Sequence, residues 1–145
     1  MKNAFPALVA ALSLGLLGAC GHSSPAGIYD VDKAGFKAVM LASMPAESRA
    51  SKEHMAQVDE MVEGMSTTIT LAADGTATMQ MKMTMMGRPM DSSANGTWKL
   101  DGTKLTVSMQ KDGQDDTKVA EYDGSSFTIE DTAGGQKMKM IFRRR

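Results

Sequence analysis

Two periods of apolar and polar residues divide this chain. From residue 66 onward, apolar and polar residues alternate in short segments separated by turn dipeptides, which predicts strands at 66–71, 76–85, 94–100, 103–109, 117–122, 125–129 and 137–142. Asp74-Gly75, Asp101-Gly102 and Asp123-Gly124 are the joints, because both residue types tolerate the positive φ of tight hairpin turns. Ahead of them, Ala26-Gly27-Ile28-Tyr29-Asp30-Val31 is apolar enough for a first strand.

Between these strands the period becomes helical. Phe36, Val39, Met40 and Met44 share one stripe, with Lys33 and Lys37 off it, and Met44-Pro45 ends that helix because a residue before proline is pushed out of the α region. Pro45 suits the start of a second helix, with Glu47 at its positive end. Met55, Val58, Met61, Val62 and Met65 then recur at three- and four-residue spacings, and Gly64 is the stop. The predicted fold class is α+β and mainly antiparallel: an up-and-down barrel or half-barrel of about eight strands, with two helices between the first and second.

The segment Met79-Gln80-Met81-Lys82-Met83-Thr84-Met85 poses a chemical choice. Alternate strand residues share a face, so the four thioethers point one way and Gln80, Lys82 and Thr84 the other. Leu105 and Val107 against Lys104 and Thr106, and Met138 and Met140 against Lys137 and Lys139, obey the same rule, so the row reads as a core face. Each buried methionine contributes roughly 1.5 to 3 kcal/mol, and its flexibility fills uneven gaps. The competing chemistry is soft-metal binding, since thioethers select Cu(I) or Ag(I). Its candidate ligands are Met85, Met86 and Met90 on an exposed loop around Gly87-Arg88-Pro89, joined by His22 or His54; oxidant scavenging by exposed methionines is a related alternative.

The N-terminal segment needs separate treatment. Lys2 is followed by an apolar run from Ala4 to Leu17 and then Leu17-Gly18-Ala19-Cys20, where the chain's single cysteine stands. This resembles the lipobox of bacterial lipoproteins. The resemblance implies a signal peptide over 1–19, a diacylglyceryl thioether on Cys20 Sγ, a lipidated tether over 20–26 and a folded domain over 27–145. The run is short of the roughly 20 residues that span a bilayer. Gly21 stands where the family's inner-membrane retention signal has aspartate, which implies the outer membrane, facing the periplasm. With one cysteine there is no disulfide.

Charge and missing motifs exclude several functions. Of 16 basic residues, Lys2 leaves with the leader, so 15 face 17 acidic ones, a net charge of about −2 that gives nucleic acid no footprint. Arg143-Arg144-Arg145 reads as a solvated tail. No nucleophile elbow, phosphate loop or histidine pair is present, and Asp115-Asp116 and Glu130-Asp131 lack the alternating ligand spacing of a calcium loop. The expectation is no enzyme and no cofactor.

One hairpin carries a second resemblance. Gly96-Thr97-Trp98-Lys99-Leu100-Asp101, with Gly102 and Leu105, resembles the "GTWKLDG" hairpin of lipocalin-like domains in bacterial lipoproteins, and the strand order extends the likeness over 26–142. The helices after the first strand look like the portal of fatty-acid-binding proteins. The resemblance implies binding of an apolar small molecule or an envelope partner. The expected lining is Ile69, Leu71, Met79, Met81, Met83, Trp98, Leu105, Val107, Phe127, Ile129, Met138 and Met140. A purely structural lipoprotein is the remaining alternative.

Overall fold

A computed structural model describes residues 23–85, 87–111, 113–133 and 136–145. Cys20, His22, Met86 and the pair Gly134-Gly135 lie outside these, as does the side chain of Met85. The elements run β1 (Gly27–Val31), α1 (Lys33–Ser43), α2 (Ala46–Ala50), α3 (Lys52–Gly64), β2 (Ser66–Leu71), β3 (Thr76–Met85), β4 (Arg88–Asp101), β5 (Lys104–Lys111), β6 (Gln114–Glu121), β7 (Ser126–Ala133) and β8 (Gln136–Arg144). The strands form one 8-stranded sheet in the order β6-β5-β4-β3-β2-β1-β8-β7, with every pair antiparallel. Its two end strands meet at a bridge between Tyr122 and Phe127, so the sheet is a nearly closed barrel.

Local chemistry accounts for the joints. Gly75, Gly102 and Gly124 have φ of +87°, +63° and +100°, each after an aspartate. At the last of these joints the Asp123 carboxylate accepts from the backbone N–H groups of Ser125 and Ser126 and from both hydroxyls, which fixes the β6–β7 turn. Asp32 caps α1 by accepting from Gly35 N at 3.1 Å. The second predicted helix is divided: Ser51 is extended, and its Oγ caps α3 by accepting from His54 N.

Residues 87–90 are exposed, as expected from Gly87-Arg88-Pro89, but from Arg88 onward they are strand rather than loop. Gly87, at φ +73°, turns the chain tightly enough that Arg88 and Pro89 already pair with Met85 and Thr84. Pro89 is tolerated because this end of β4 pairs with β3 alone, its register with β5 beginning only at Asn95.

Antiparallel alternation gives the barrel two distinct ends. At one end, the floor, lie the β2–β3, β4–β5 and β6–β7 turns; at the other, the rim, lie the remaining hairpin tips and the helices. Here α1 packs along β8, and α3 packs against α1 and β3. Lys37 on α1 pairs with Asp59 on α3 at 2.5 Å. The largest fully buried side chains, among them Tyr29, Tyr122, Phe127, Phe142, Leu71 and Leu105, come from strand ends that meet at or near the floor. Tyr29 meets Phe127 edge-on at 5.0 Å, and Phe127 stacks on Phe142 at 5.3 Å.

The floor is sealed by the two ends of the described chain. Arg144 points inward and donates from Nη2 to the Tyr29 hydroxyl (2.8 Å), the Tyr122 hydroxyl (2.9 Å) and Ser24 O (2.5 Å). Tyr29 donates to Pro25 O at 2.7 Å, and Ser23 Oγ to Gly124 O at 3.0 Å. The arginine triplet is therefore no solvated tail: Arg143 pairs with Asp32 and Arg145 with Asp30, because β8 continues alongside β1.

At Gly96, β4 and β5 approach too closely for a side chain. A Cβ there would lie 1.8 Å from Ser108 O, a backbone atom that cannot step aside alone. Gly96→Ala is expected to destabilise the domain by about 3 kcal/mol or more in urea unfolding. Gly87→Ala, strained in φ but with nothing within 4 Å of the added carbon, is expected to cost about 1 to 2 kcal/mol.

Candidate ligand-binding site

The residues expected to line a cavity lie on one face of the sheet. Tyr29 faces Ile69, Ile69 faces Met79 and Met79 faces Ala94, while Trp98 faces Val107 and Ile129 faces Met140. This face turns inward. Depth divides the set in two. Ile69, Leu71, Leu105, Val107, Phe127 and Ile129 are buried and fill the floor half with one another. Met79, Trp98 and Met140 are half-buried against that core, and Met81, Met83 and Met138 are half-buried nearer the rim. Trp98 is pinned by its own donor, Nε1 to Ala72 O at 2.8 Å, so its ring is fixed where β4 passes the β2–β3 turn.

Sequence reasoning missed a polar candidate on this inner face. Thr67, at the rim end of β2, sits opposite Met81 and is 2% exposed, and its Oγ1 has no hydrogen-bond partner among the described residues. A buried hydroxyl without a partner is destabilising by about 1 to 3 kcal/mol. The signal was present as a threonine at an inward position of the alternation in 66–71, where a strand fills its core side with apolar residues.

A second concavity lies on the outer surface. Where β6 and β7 splay apart from their bridge, a groove of about 410 Å³ is lined by Val39, Val119, Ala120, Thr128 and Ile141 among others. Val119 is 62% exposed. In sequence, Val119-Ala120 breaks the alternation and was readable as one outward apolar position.

The charged groups have ordinary structural roles. The Arg145 guanidinium holds Asp30 below the usual carboxylate range, and the Gly35 N–H, with Arg143 behind it, does the same for Asp32. Asp74 and Asp123 are lowered chiefly by the Thr76 and Ser126 hydroxyls. His54 is exposed on α3. Among the described residues no group of three His, Cys, Asp or Glu is placed to share a metal ion, and no helix is long and apolar enough to cross a membrane.

A family comparison agrees with this architecture. Residues 47–129, more than half of the chain, match the family model of the lipocalin-like domain. Similar solved structures include a Schistosoma mansoni fatty acid binding protein in complex with arachidonic acid, at 16% identity and TM-score 0.39, covering 83% of this chain and 95% of that one. A fatty acid-binding protein from brain tissue of Drosophila melanogaster follows at 18% identity and TM-score 0.36, covering 83% and 99%. The fluorescent protein UnaG is similar at 15% identity and TM-score 0.37, covering 83% and 96%. No curated protein matches the chain.

Burial pushes the Tyr29 hydroxyl up to about 12, with the neighbouring Tyr122 adding to it and Arg144 opposing. Because the folded chain keeps this proton where the unfolded chain, near 10, has lost it, Tyr29 stabilises fully below pH 10. That contribution is lost as pH rises from 10 to about 12. The difference in unfolding free energy between wild type and Tyr29→Phe, followed by urea titration across that window, is expected to move in favour of the variant as pH rises.

Proposed function

We propose, from the premise that the chain belongs to the lipocalin-like domain family, that the rim half of its barrel binds one apolar small molecule bearing a hydrogen-bonding oxygen. Thr67 carries this reading. Small-molecule sites are mostly apolar walls with a few placed polar groups, and here a buried hydroxyl lacking a partner sits among half-buried thioethers. A ligand oxygen placed there satisfies Oγ1, and the flexible side chains of Met79, Met81, Met83 and Met140 adapt to the apolar body. The floor cannot serve, because its aromatic side chains already fill it. The role is one of binding rather than reaction, since the carboxylates with displaced pKa values are spent on turns, caps and ion pairs.

The domain is further proposed to be held to the periplasmic face of the outer membrane by a lipid on Cys20. The contacts of Ser23, Ser24 and Pro25 with the floor support a definite pose. Cys20 lies three chain steps before Ser23, a reach of at most about 10 Å. An anchored domain therefore stands on its floor and opens its rim away from its own bilayer.

Thr67→Val separates site from scaffold. Removing an unsatisfied hydroxyl is expected to leave unfolding stability equal or higher by about 1 kcal/mol, while binding of an anthroyloxy-labelled long-chain fatty acid weakens about tenfold. Unchanged binding would remove Thr67 from the site. The anchor is read independently: Cys20→Ala is expected to lose labelling by a palmitate analogue and to leave the membrane fraction, and a variant that stays membrane-bound would overturn the lipid anchor.

A further inference from the structure

The geometry points to a soft-metal site for Cu(I) or Ag(I) on the inner face of the β3–β4 hairpin, formed by Met83 and Met90 with Met81 as third ligand. Met83 and Met90 stand directly opposite each other in the antiparallel register. Directly opposed residues have Cβ atoms about 4.5 to 5.5 Å apart, so both thioethers reach one ion without backbone movement. Two sulfurs on one ion lie within about 4.6 Å of each other, twice a bond of about 2.3 Å. Met81 follows on the same strand face two residues along, about 6.6 Å from Met83, within reach of an unbranched side chain.

Packing does not account for this cluster. Because β4 pairs with β5 only from Asn95 onward, the 88–94 end of β4 has β3 as its one strand neighbour among the described residues, and Met90 is left 54% exposed. A large apolar side chain so exposed gains little as a hydrophobe, whereas a thioether there is free to bind a d10 cation of matching softness. Exposed Arg88, two residues along β4, keeps its charge in water on a long flexible stem. This site differs from the loop set Met85, Met86 and Met90: the hairpin register selects Met83 as the partner of Met90. It shares Met81 and Met83 with the inner lining of the barrel, and metal titration reads it separately from binding of the fatty-acid probe.

Titration of the full chain with Ag(I), and with Cu(I) against a competing chelator, is expected to show one ion bound more tightly than micromolar. The methyl resonances of Met83 and Met90 are expected to shift first. Met83→Leu with Met90→Leu keeps the volume and apolarity of both positions and removes both sulfurs. That double variant is expected to lose affinity for the ion about tenfold or more while unfolding at the same urea concentration as the wild type. Binding no tighter than micromolar in the wild type, or equal affinity in the double variant, would overturn the site.

Discussion

Arg144 ties three distant parts of the chain together at the point where the barrel closes. Its guanidinium reaches the hydroxyls of Tyr29 on β1 and Tyr122 at the end of β6, and the carbonyl of Ser24 before β1. The Tyr122–Phe127 bridge beside it is the one ladder contact between β6 and β7 among the described residues. Both phenols are buried and therefore need partners, and a cation with several donors satisfies them without a carboxylate. Among the described residues no other bridge joins these two edges, so the depth to which the barrel closes is decided at the floor.

From that closure follows the asymmetry of the interior. Near the floor the sheet curls tightly enough for Phe127, Phe142, Tyr29 and Leu105 to fill the space, and Gly96 lets β4 and β5 approach where no side chain fits. Toward the rim the hairpins extend past their neighbours, and long thioethers replace rigid rings. One half of the interior is thus filled by rigid side chains and the other lined by flexible ones.

Much of this was legible in the sequence because alternation and turn chemistry are local. The 66–71 and 76–85 strands have the predicted bounds, and each Asp-Gly joint is a turn. What was not legible depends on partners far along the chain. Arg143-Arg144-Arg145 reads as a tail until β1 is beside it, with Asp30 and Asp32 supplying the charges. Arg88-Pro89 reads as a loop because proline breaks central strands, and it is a strand only because no second neighbour needs its N–H. Ser51 divides the second helix by a cap that helical periodicity alone does not reveal. The solitary Thr67 hydroxyl shows only once every neighbour is in place.

Amide hydrogen exchange in wild type and Arg144→Met tests closure at its source. Loss of the guanidinium is expected to release protection at Tyr122, Asp123 and Arg144, whose N–H groups bond Thr103, Ser126 and Ser125 across the floor, while the β3–β4 hairpin exchanges as before. Equal protection of those floor amides in both proteins would show that the barrel closes without Arg144 and would contradict this account.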